Sequence, residues 1–196
     1  MEMDGGPMEI CFSLDTNYNI AFCLQNVIAK VILLIQKLHA KIPGVRIAIF
    51  AHGDYCKIPY TTKHIDFSTN VHDLCEWINS NKMTAGRDVD AYYELVLKEV
   101  KSLSWTPGSK RVLVMIGNSD PHEPGYTCGP HTCTIDWKDE ATKLMQMVCI
   151  RIKIINKRIE VQLCRIITYF CLTYIKFIHK CSWKPRDYYF VYQTEM

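Results

Sequence analysis

The stretch "CFSLDTNYNI", residues 11–20, decides the fold of this chain. Large apolar side chains alternate with small ones over residues 8–15, which predicts a strand that is buried on both faces. Asp15 ends this strand, and a polar cluster that includes Asn17 and Asn19 follows before a long apolar helix begins. The stretch therefore predicts a buried strand that delivers polar groups to the edge of a sheet.

The rest of the chain continues the alternation of strands and helices. The predicted elements are a helix over 20–42, strands over 45–52 and 63–67, helices over 71–79 and 91–103, a strand over 111–117, a helix over 137–147 and a strand over 149–155. Such an order predicts an open α/β sheet, mostly parallel, with helices on both faces. Ligands of such folds bind at the carboxyl ends of the strands, and Asp15 and Asn118 both lie at such ends.

Composition indicates a soluble globular protein with one ordinary domain, since the 196 residues are 48% hydrophobic and 22% charged. The charge balance reverses near Val148. Residues 1–148 carry 14 Lys and Arg against 17 Asp and Glu, whereas residues 149–196 carry 9 against 3. We therefore predict an α/β domain over residues 8–155 and a basic, aromatic-rich, divergent segment over residues 156–196, so that the C-terminal part of the fold is incomplete or irregular.

The amino terminus lacks the features of a secretory signal, which predicts a cytoplasmic protein. Cysteines in that compartment are reduced, and Cys11, Cys23 and Cys75 sit among apolar residues where a thiol packs as a small hydrophobe. The most apolar stretch, residues 161–178, is interrupted by charged side chains and is too short between them for a membrane span.

Three motifs in order, "FSLDTNYN" (12–19), "MTAGRDVDAYYELVLKEV" (83–100) and "RVLVMIGNSDPH" (111–122), resemble the von Willebrand factor A (vWA) domain, in particular its intracellular versions. The resemblance covers about residues 8–155. It implies a doubly wound, Rossmann-like sheet and a metal-ion-dependent adhesion site, which three loops form at the carboxyl edge of the sheet.

The positions of that metal site can be carried over residue by residue. They fall on Asp15, Asn17, Asn19, Thr84 and Asn118, and only Asp15 and Thr84 keep the residue type of the family. Magnesium demands oxygen ligands in near-octahedral geometry. An amide at Asn118 removes a negative charge that is worth roughly 4 kcal/mol to a unit charge about 4 Å away, at an effective dielectric near 20. The resemblance therefore implies a degenerate site with weak or absent binding of Mg²⁺ or Mn²⁺, and no other cofactor.

Three nearby acids could compensate for the lost charge. Asp88 and Asp90 follow Thr84, and Asp120 follows Asn118. A different role is open to Asn19 and Asp90, because both stand where the N-caps of helices are predicted and could accept hydrogen bonds from free backbone amides.

Two other groups of residues suggest different chemistry. Zinc-ligand types occur at His122, Cys128, His131 and Cys133, but their spacing is irregular and no second C-x₂-C motif accompanies them, which favours loop residues without a metal.

A hydrolase or phosphatase could use Asp15 with Asp120, or His52 with Asp54. The sequence contains no G-x-S-x-G, G-x-G-x-x-G or P-loop motif, so a non-enzymatic protein is favoured.

These observations predict a protein-interaction module that binds a protein partner through the loops around Asp15, Thr84 and Asn118. The basic residues of the C-terminal segment are too few and too interspersed with apolar residues to predict nucleic-acid binding. The alternatives are the hydrolase described above and a truncated, non-functional paralogue, since residues 156–196 contain no glycine to punctuate further elements.

Overall fold

The computed structural model describes residues 6–17, 20–21, 23–55, 62–80, 84, 90–117 and 119–147. Its elements are β1 (Met8–Asp15), α1 (Leu24–Lys41), β2 (Arg46–His52), β3 (Thr62–Ser68), α2 (Val71–Ser80), α3 (Tyr93–Glu99), β4 (Lys110–Ile116), β5 (Thr127–Cys128), β6 (His131–Thr132) and α4 (Trp137–Met147). A single 3₁₀ turn over Val100–Ser102 follows α3. The predicted strand over 149–155 and the segment over 156–196 lie outside the described residues.

The main sheet has the strand order β3-β2-β1-β4. Strand β1 pairs in parallel with β2 on one side and with β4 on the other, and β3 is antiparallel to β2. The carboxyl ends of β1, β2 and β4 therefore meet at one edge. The prediction of an open, mostly parallel α/β sheet is confirmed.

Helices cover both faces of the sheet. Ile10, Phe12 and Leu14 of β1 pack with α1 and α2 on one face. On the other face, Cys11 packs in a second cluster together with α3 and α4. The alternation of side chains in β1 thus places its large apolar residues under the long helix α1, where most of the core forms.

The structure corrects the two predicted helix caps. Helix α1 has Cys23, not Asn19, at its N-cap, because two turn hydrogen bonds, from Ile20 N to Asn17 O and from Cys23 N to Ile20 O, delay its start. Helix α3 has Tyr92, not Asp90, at its N-cap. Neither Cys23 nor Tyr92 makes a side-chain capping hydrogen bond.

The prediction for the cysteines is confirmed at Cys11, Cys23 and Cys75, which are free thiols, as is Cys133. It is wrong for Cys128, which forms a disulfide bond. Cys128 lies in the small β5–β6 hairpin, a pair of strands that the sequence did not predict. Among the helices of the described residues, none has both the length and the apolar character that a membrane crossing requires.

Candidate functional site at the carboxyl edge of the sheet

Four loops are tied together at the carboxyl edge by backbone hydrogen bonds. The bonds run from Thr16 N to His52 O (2.9 Å), from Thr84 N to Thr16 O (2.9 Å), from Tyr92 N to Gly53 O (3.2 Å) and from Ala91 N to Asp120 O (3.0 Å). The loop after β1 therefore contacts those after β2 and around residue 84, and the start of α3 contacts the loop after β4. The predicted meeting of these loops is found in the structure.

Asp15 lies at the centre of this edge and is buried, with 1% of its surface exposed. Its Oδ1 accepts a hydrogen bond from the backbone amide of Asn17 at 2.8 Å. Its Oδ2 accepts one from the hydroxyl of Tyr93 at 3.1 Å. Both carboxylate oxygens therefore accept hydrogen bonds from donors that the fold holds in place.

The backbone of Ser119 lies close enough to the Tyr93 hydroxyl to act on its pKa in the lowering direction. Burial and the negative charge of Asp15 act in the opposite direction and dominate, so the pKa of Tyr93 is well above its ordinary value and the hydroxyl stays protonated. The hydroxyl thus joins Asp15 to the loop after β4.

Gly117 makes room for this contact. A Cβ atom at this position would overlap the Tyr93 hydroxyl oxygen and would lie 2.6 Å from the Cβ of Asp15. The tyrosine ring also packs edge-on against His52, with ring centroids 4.7 Å apart. The fold therefore requires a residue without a side chain at Gly117 to seat the ring.

Thr84 and Thr16 share a second set of hydrogen bonds at this edge. The Thr16 hydroxyl donates to His52 O at 2.9 Å, and the Thr84 hydroxyl donates to Thr16 O at 3.0 Å. Thr84 is 1% exposed, and a Cβ on Gly53 would lie 2.5 Å from its hydroxyl oxygen. The threonine that the resemblance assigns to metal binding thus braces one loop against another.

The remaining candidates divide between the inside and the surface of the site. Asn17 is buried, and its Nδ2 donates to the backbone oxygen of Asp90 at 3.2 Å. Asp90 is half-buried and Asp120 is exposed. The other candidates, Asn19, Asp88 and Asn118, lie outside the described residues.

A divalent cation of the adhesion-site type fits this arrangement poorly. Magnesium requires oxygen ligands close to octahedral positions. Here the Asn17 backbone amide and the Tyr93 hydroxyl donate to the Asp15 carboxylate, and the Thr84 hydroxyl donates to a backbone carbonyl. Within the part of the chain that the structure describes, no group of three His, Cys, Asp or Glu residues is placed to hold a metal ion.

The residues proposed for acid–base catalysis do not form a pair. His52 is fully buried, its Nδ1 lies 3.0 Å from the Ser13 hydroxyl, and burial lowers its pKa to about 3. Asp54 instead lies 3.5 Å from His122 Nε2. An imidazole with so low a pKa is a weak base near neutral pH, which disfavours the alternative of a hydrolase that uses His52 and Asp54.

One cluster was missed at the sequence level. His122 lies between two fully buried carboxylates, with Nε2 3.5 Å from Asp54 Oδ1 and Nδ1 3.3 Å from Glu94 Oε1. Glu94 Oε2 also accepts from the backbone amide of His122 at 3.1 Å, and the Cys133 thiol donates to Glu94 at 4.0 Å. The sequence feature that could have indicated this cluster is Glu94, a charged residue among the buried apolar residues of α3. Through His122, the cluster ties the loop after β4 to α3 and to Asp54.

The zinc-ligand types in the same loop do not assemble into one site. Cys128 is disulfide-bonded, and Cys133 is a buried free thiol that contacts Glu94. His131 is exposed on the hairpin. The expectation of loop residues without a metal stays a prediction.

Solved structures resemble this fold. The pilus adhesin SpaC from Lactobacillus rhamnosus GG is 11% identical, with a TM-score of 0.58 over 78% of this chain and 25% of that chain. Its open conformation gives a TM-score of 0.55 over 78% of this chain and 24% of that chain. The vWF domain of the type V pili tip protein Mfa5 from Porphyromonas gingivalis is 16% identical over 64% of this chain and 43% of that chain, with a TM-score of 0.49.

The likeness to SpaC shows the α/β fold alone, and this chain spans about a quarter of that adhesin's length. No protein-family model matches the chain. No curated protein matches it either.

Proposed function

We propose that this protein is an interaction module of the vWA type that binds a protein partner through the loops at the carboxyl edge, with weak or absent dependence on divalent cations. One observation carries the proposal. The loops are tied together by backbone hydrogen bonds and by the buried side chains of Thr16 and Thr84, while Asp120 in the loop after β4 stays exposed. A rigid edge with exposed polar groups can present a preformed binding surface. In vWA relatives with an intact site, a bound ion accepts a carboxylate of the partner; here hydrogen bonds and shape would replace it.

The likeness to a pilus adhesin is in keeping with a binding role, although adhesion itself is a property of that protein. We propose that the chain is not an enzyme. In the first hydrolase alternative, Asp15 is buried whereas Asp120 is exposed. In the second, His52 is buried and lies against Ser13 and Tyr93. A phosphatase and esterase screen tests this directly, since a signal that Asp15→Asn abolishes would contradict it.

The cytoplasmic location predicted from the sequence stays a prediction. The disulfide at Cys128 argues against it, because disulfides persist mainly in oxidising compartments.

The binding proposal can be tested by site-specific photo-crosslinking in cells. A benzophenone amino acid replaces exposed Asp120, and in a matched control it replaces Leu33, which is 52% exposed on the outer side of α1. We expect a discrete adduct from position 120, none from position 33, and the same yield after extraction with EDTA. Equal adducts from both positions would contradict the proposed surface. Loss of the adduct in EDTA would contradict its independence from cations.

A further inference from the structure

We propose that the Tyr93 hydroxyl takes the place of a divalent cation at this edge, joining Asp15 to the loop after β4 and keeping a metal ion out. The inference rests on the proposed function and names the residue that makes the site independent of cations. It follows from the contacts of the hydroxyl, from the way the ring is held and from the charge of the surrounding loops.

The Tyr93 hydroxyl has contacts on two sides. It donates to Asp15 Oδ2 at 3.1 Å and lies directly against Gly117, which follows β4, so it connects the end of β1 with the start of the loop after β4. The vWA resemblance implies an ion in the same role, bound between Asp15 and the residue that follows Gly117. A donor hydrogen directed at Oδ2 repels a cation that approaches the same lone pairs.

The Tyr93 ring is held in place and cannot easily move away from Asp15. Tyr93 is 1% exposed and is the first residue of α3. Gly117 leaves just enough space for the hydroxyl, and His52 packs against the ring. Hydrogen bonds from Tyr92 N to Gly53 O and from Tyr93 N to Ala91 O fix the backbone at this point. Removing the hydroxyl from Asp15 would require movement of the helix start.

The number of negative charges at this edge also disfavours a divalent cation. A neutral hydroxyl satisfies a single carboxylate, whereas a divalent ion in a protein site is held by one or two carboxylates and further oxygen ligands. The sequence has the amide Asn118 where the family has a second acid. The tyrosine donor and the missing acid therefore both disfavour a divalent cation at this edge.

The test compares Mn²⁺ binding to the full chain with binding to Tyr93→Phe, followed by the loss of the free Mn²⁺ signal in electron paramagnetic resonance. We expect no binding to the unmodified protein at 1 mM Mn²⁺. Tyr93→Phe removes the hydroxyl that donates to Asp15 Oδ2. We expect at least tenfold tighter binding, which the double variant Tyr93→Phe/Asp15→Asn loses. Tyr92→Phe is the matched control, because the Tyr92 ring packs against Tyr55 with centroids 3.8 Å apart, and it should behave like the unmodified protein.

Equal Mn²⁺ binding by the unmodified protein and Tyr93→Phe would overturn the inference, and so would an absence of binding to both. If Tyr93→Phe does not fold, the unmodified protein still provides a test by NMR. The hydroxyl proton of Tyr93 should give a slowly exchanging signal that 10 mM Mg²⁺ leaves unchanged, and its loss on addition of Mg²⁺ would overturn the inference. These readouts do not involve a partner, so they separate this inference from the crosslinking result.

Discussion

Strand β1 carries a buried carboxylate near each of its ends, and the two have different surroundings. Glu9, at the amino edge, accepts hydrogen bonds from the Arg46 guanidinium, the Thr106 backbone and hydroxyl, and the Ser109 hydroxyl. Asp15, at the carboxyl edge, accepts from a backbone amide and from the Tyr93 hydroxyl. The donors to Glu9 include a charged guanidinium, whereas the donors to Asp15 that the described residues show are a backbone amide and a hydroxyl.

The difference lies in what the donors can do. The Arg46 guanidinium and the Thr106 backbone N–H can only donate, so two of the donors to Glu9 cannot turn to accept a hydrogen bond. The Tyr93 hydroxyl can donate and accept, so its contact with Asp15 can reorganise at a smaller cost in unsatisfied buried groups. The amino edge is therefore fixed by its chemistry, whereas the carboxyl edge depends on the shape that holds Tyr93 in place.

The largest effect should come from disturbing that shape with Gly117→Ala. The new Cβ would overlap the Tyr93 hydroxyl and approach the Cβ of Asp15 to 2.6 Å. We expect a loss of about 4 kcal/mol in the free energy of unfolding, at the upper end for single substitutions, measured by urea denaturation.

The control is Gly44→Ala. Gly44 has a φ of 71° and no atom within 4 Å of the added Cβ. The left-handed backbone alone should cost about 1–2 kcal/mol. Equal costs for the two variants would show that the Tyr93 contact is not tightly packed.

Glu9→Gln should have the next largest effect. In one orientation the new NH₂ group takes the place of Oε2, the closer acceptor of the Thr106 backbone N–H at 3.0 Å. In the other it takes the place of Oε1 and faces the Arg46 guanidinium, which can only donate. The substitution also leaves the Arg46 charge without its carboxylate. Hydrogen bonds and Arg46 lower the pKa of Glu9 despite burial, which confirms that the ionised form is the one stabilised. We expect a loss of about 3 kcal/mol by chemical denaturation. A loss below that of Asp15→Asn would refute the contrast between the two edges.

Acid should weaken the carboxyl edge through His52. Burial lowers the pKa of His52 from 6.5 to about 3. Between these two pH values the unfolded chain binds a proton at His52 and the folded protein does not. This contribution is complete above pH 6.5 and declines as the pH falls toward 3. Between pH 7 and pH 5 it should reduce the free energy of unfolding by about 2 kcal/mol.

His52→Asn should remove most of this slope, because the amide keeps a polar group near Ser13 but does not titrate. His39→Asn is the control for a half-buried histidine on α1 whose pKa burial also lowers, and it should remove less of the slope. The window stops at pH 5 because the carboxylates titrate below it. An unchanged slope in His52→Asn would show that His52 does not control the acid response.

Much of the fold could be predicted from the sequence because its signals are local. Strands β1, β2 and β4 are nearly continuous apolar runs, and α1 shows helical spacing over its whole length. Helix starts were less accurate. Asn19 and Asp90 have the residue types of N-caps, but other hydrogen bonds precede the helices: local turns before α1, and the long-range bond from Ala91 N to Asp120 O before α3.

The candidate site shows the same limit more clearly. The sequence indicated which loops converge and that Asp15 lies among them. It did not indicate that Tyr93 bonds to Asp15, because a tyrosine at a buried helical position is read as core packing. Nor did it indicate that Gly117 makes the space for that contact or that Glu94 pairs with His122. These contacts join residues far apart in sequence, and Tyr93 and Asp15 are separated by 78 positions along the chain.

The smallest effect is expected for Asp15→Asn, which is the matched counterpart of Glu9→Gln. The asparagine oxygen can accept from the Asn17 amide as Oδ1 does, and its NH₂ then faces the Tyr93 hydroxyl. That hydroxyl oxygen has a second lone pair and can accept the new hydrogen bond, so only its own hydrogen loses an acceptor. We expect a loss of about 1 kcal/mol in the free energy of unfolding, measured as for Glu9→Gln. A loss of about 3 kcal/mol or more would mean that the negative charge of Asp15 is itself stabilised at this edge, as a bound cation would require.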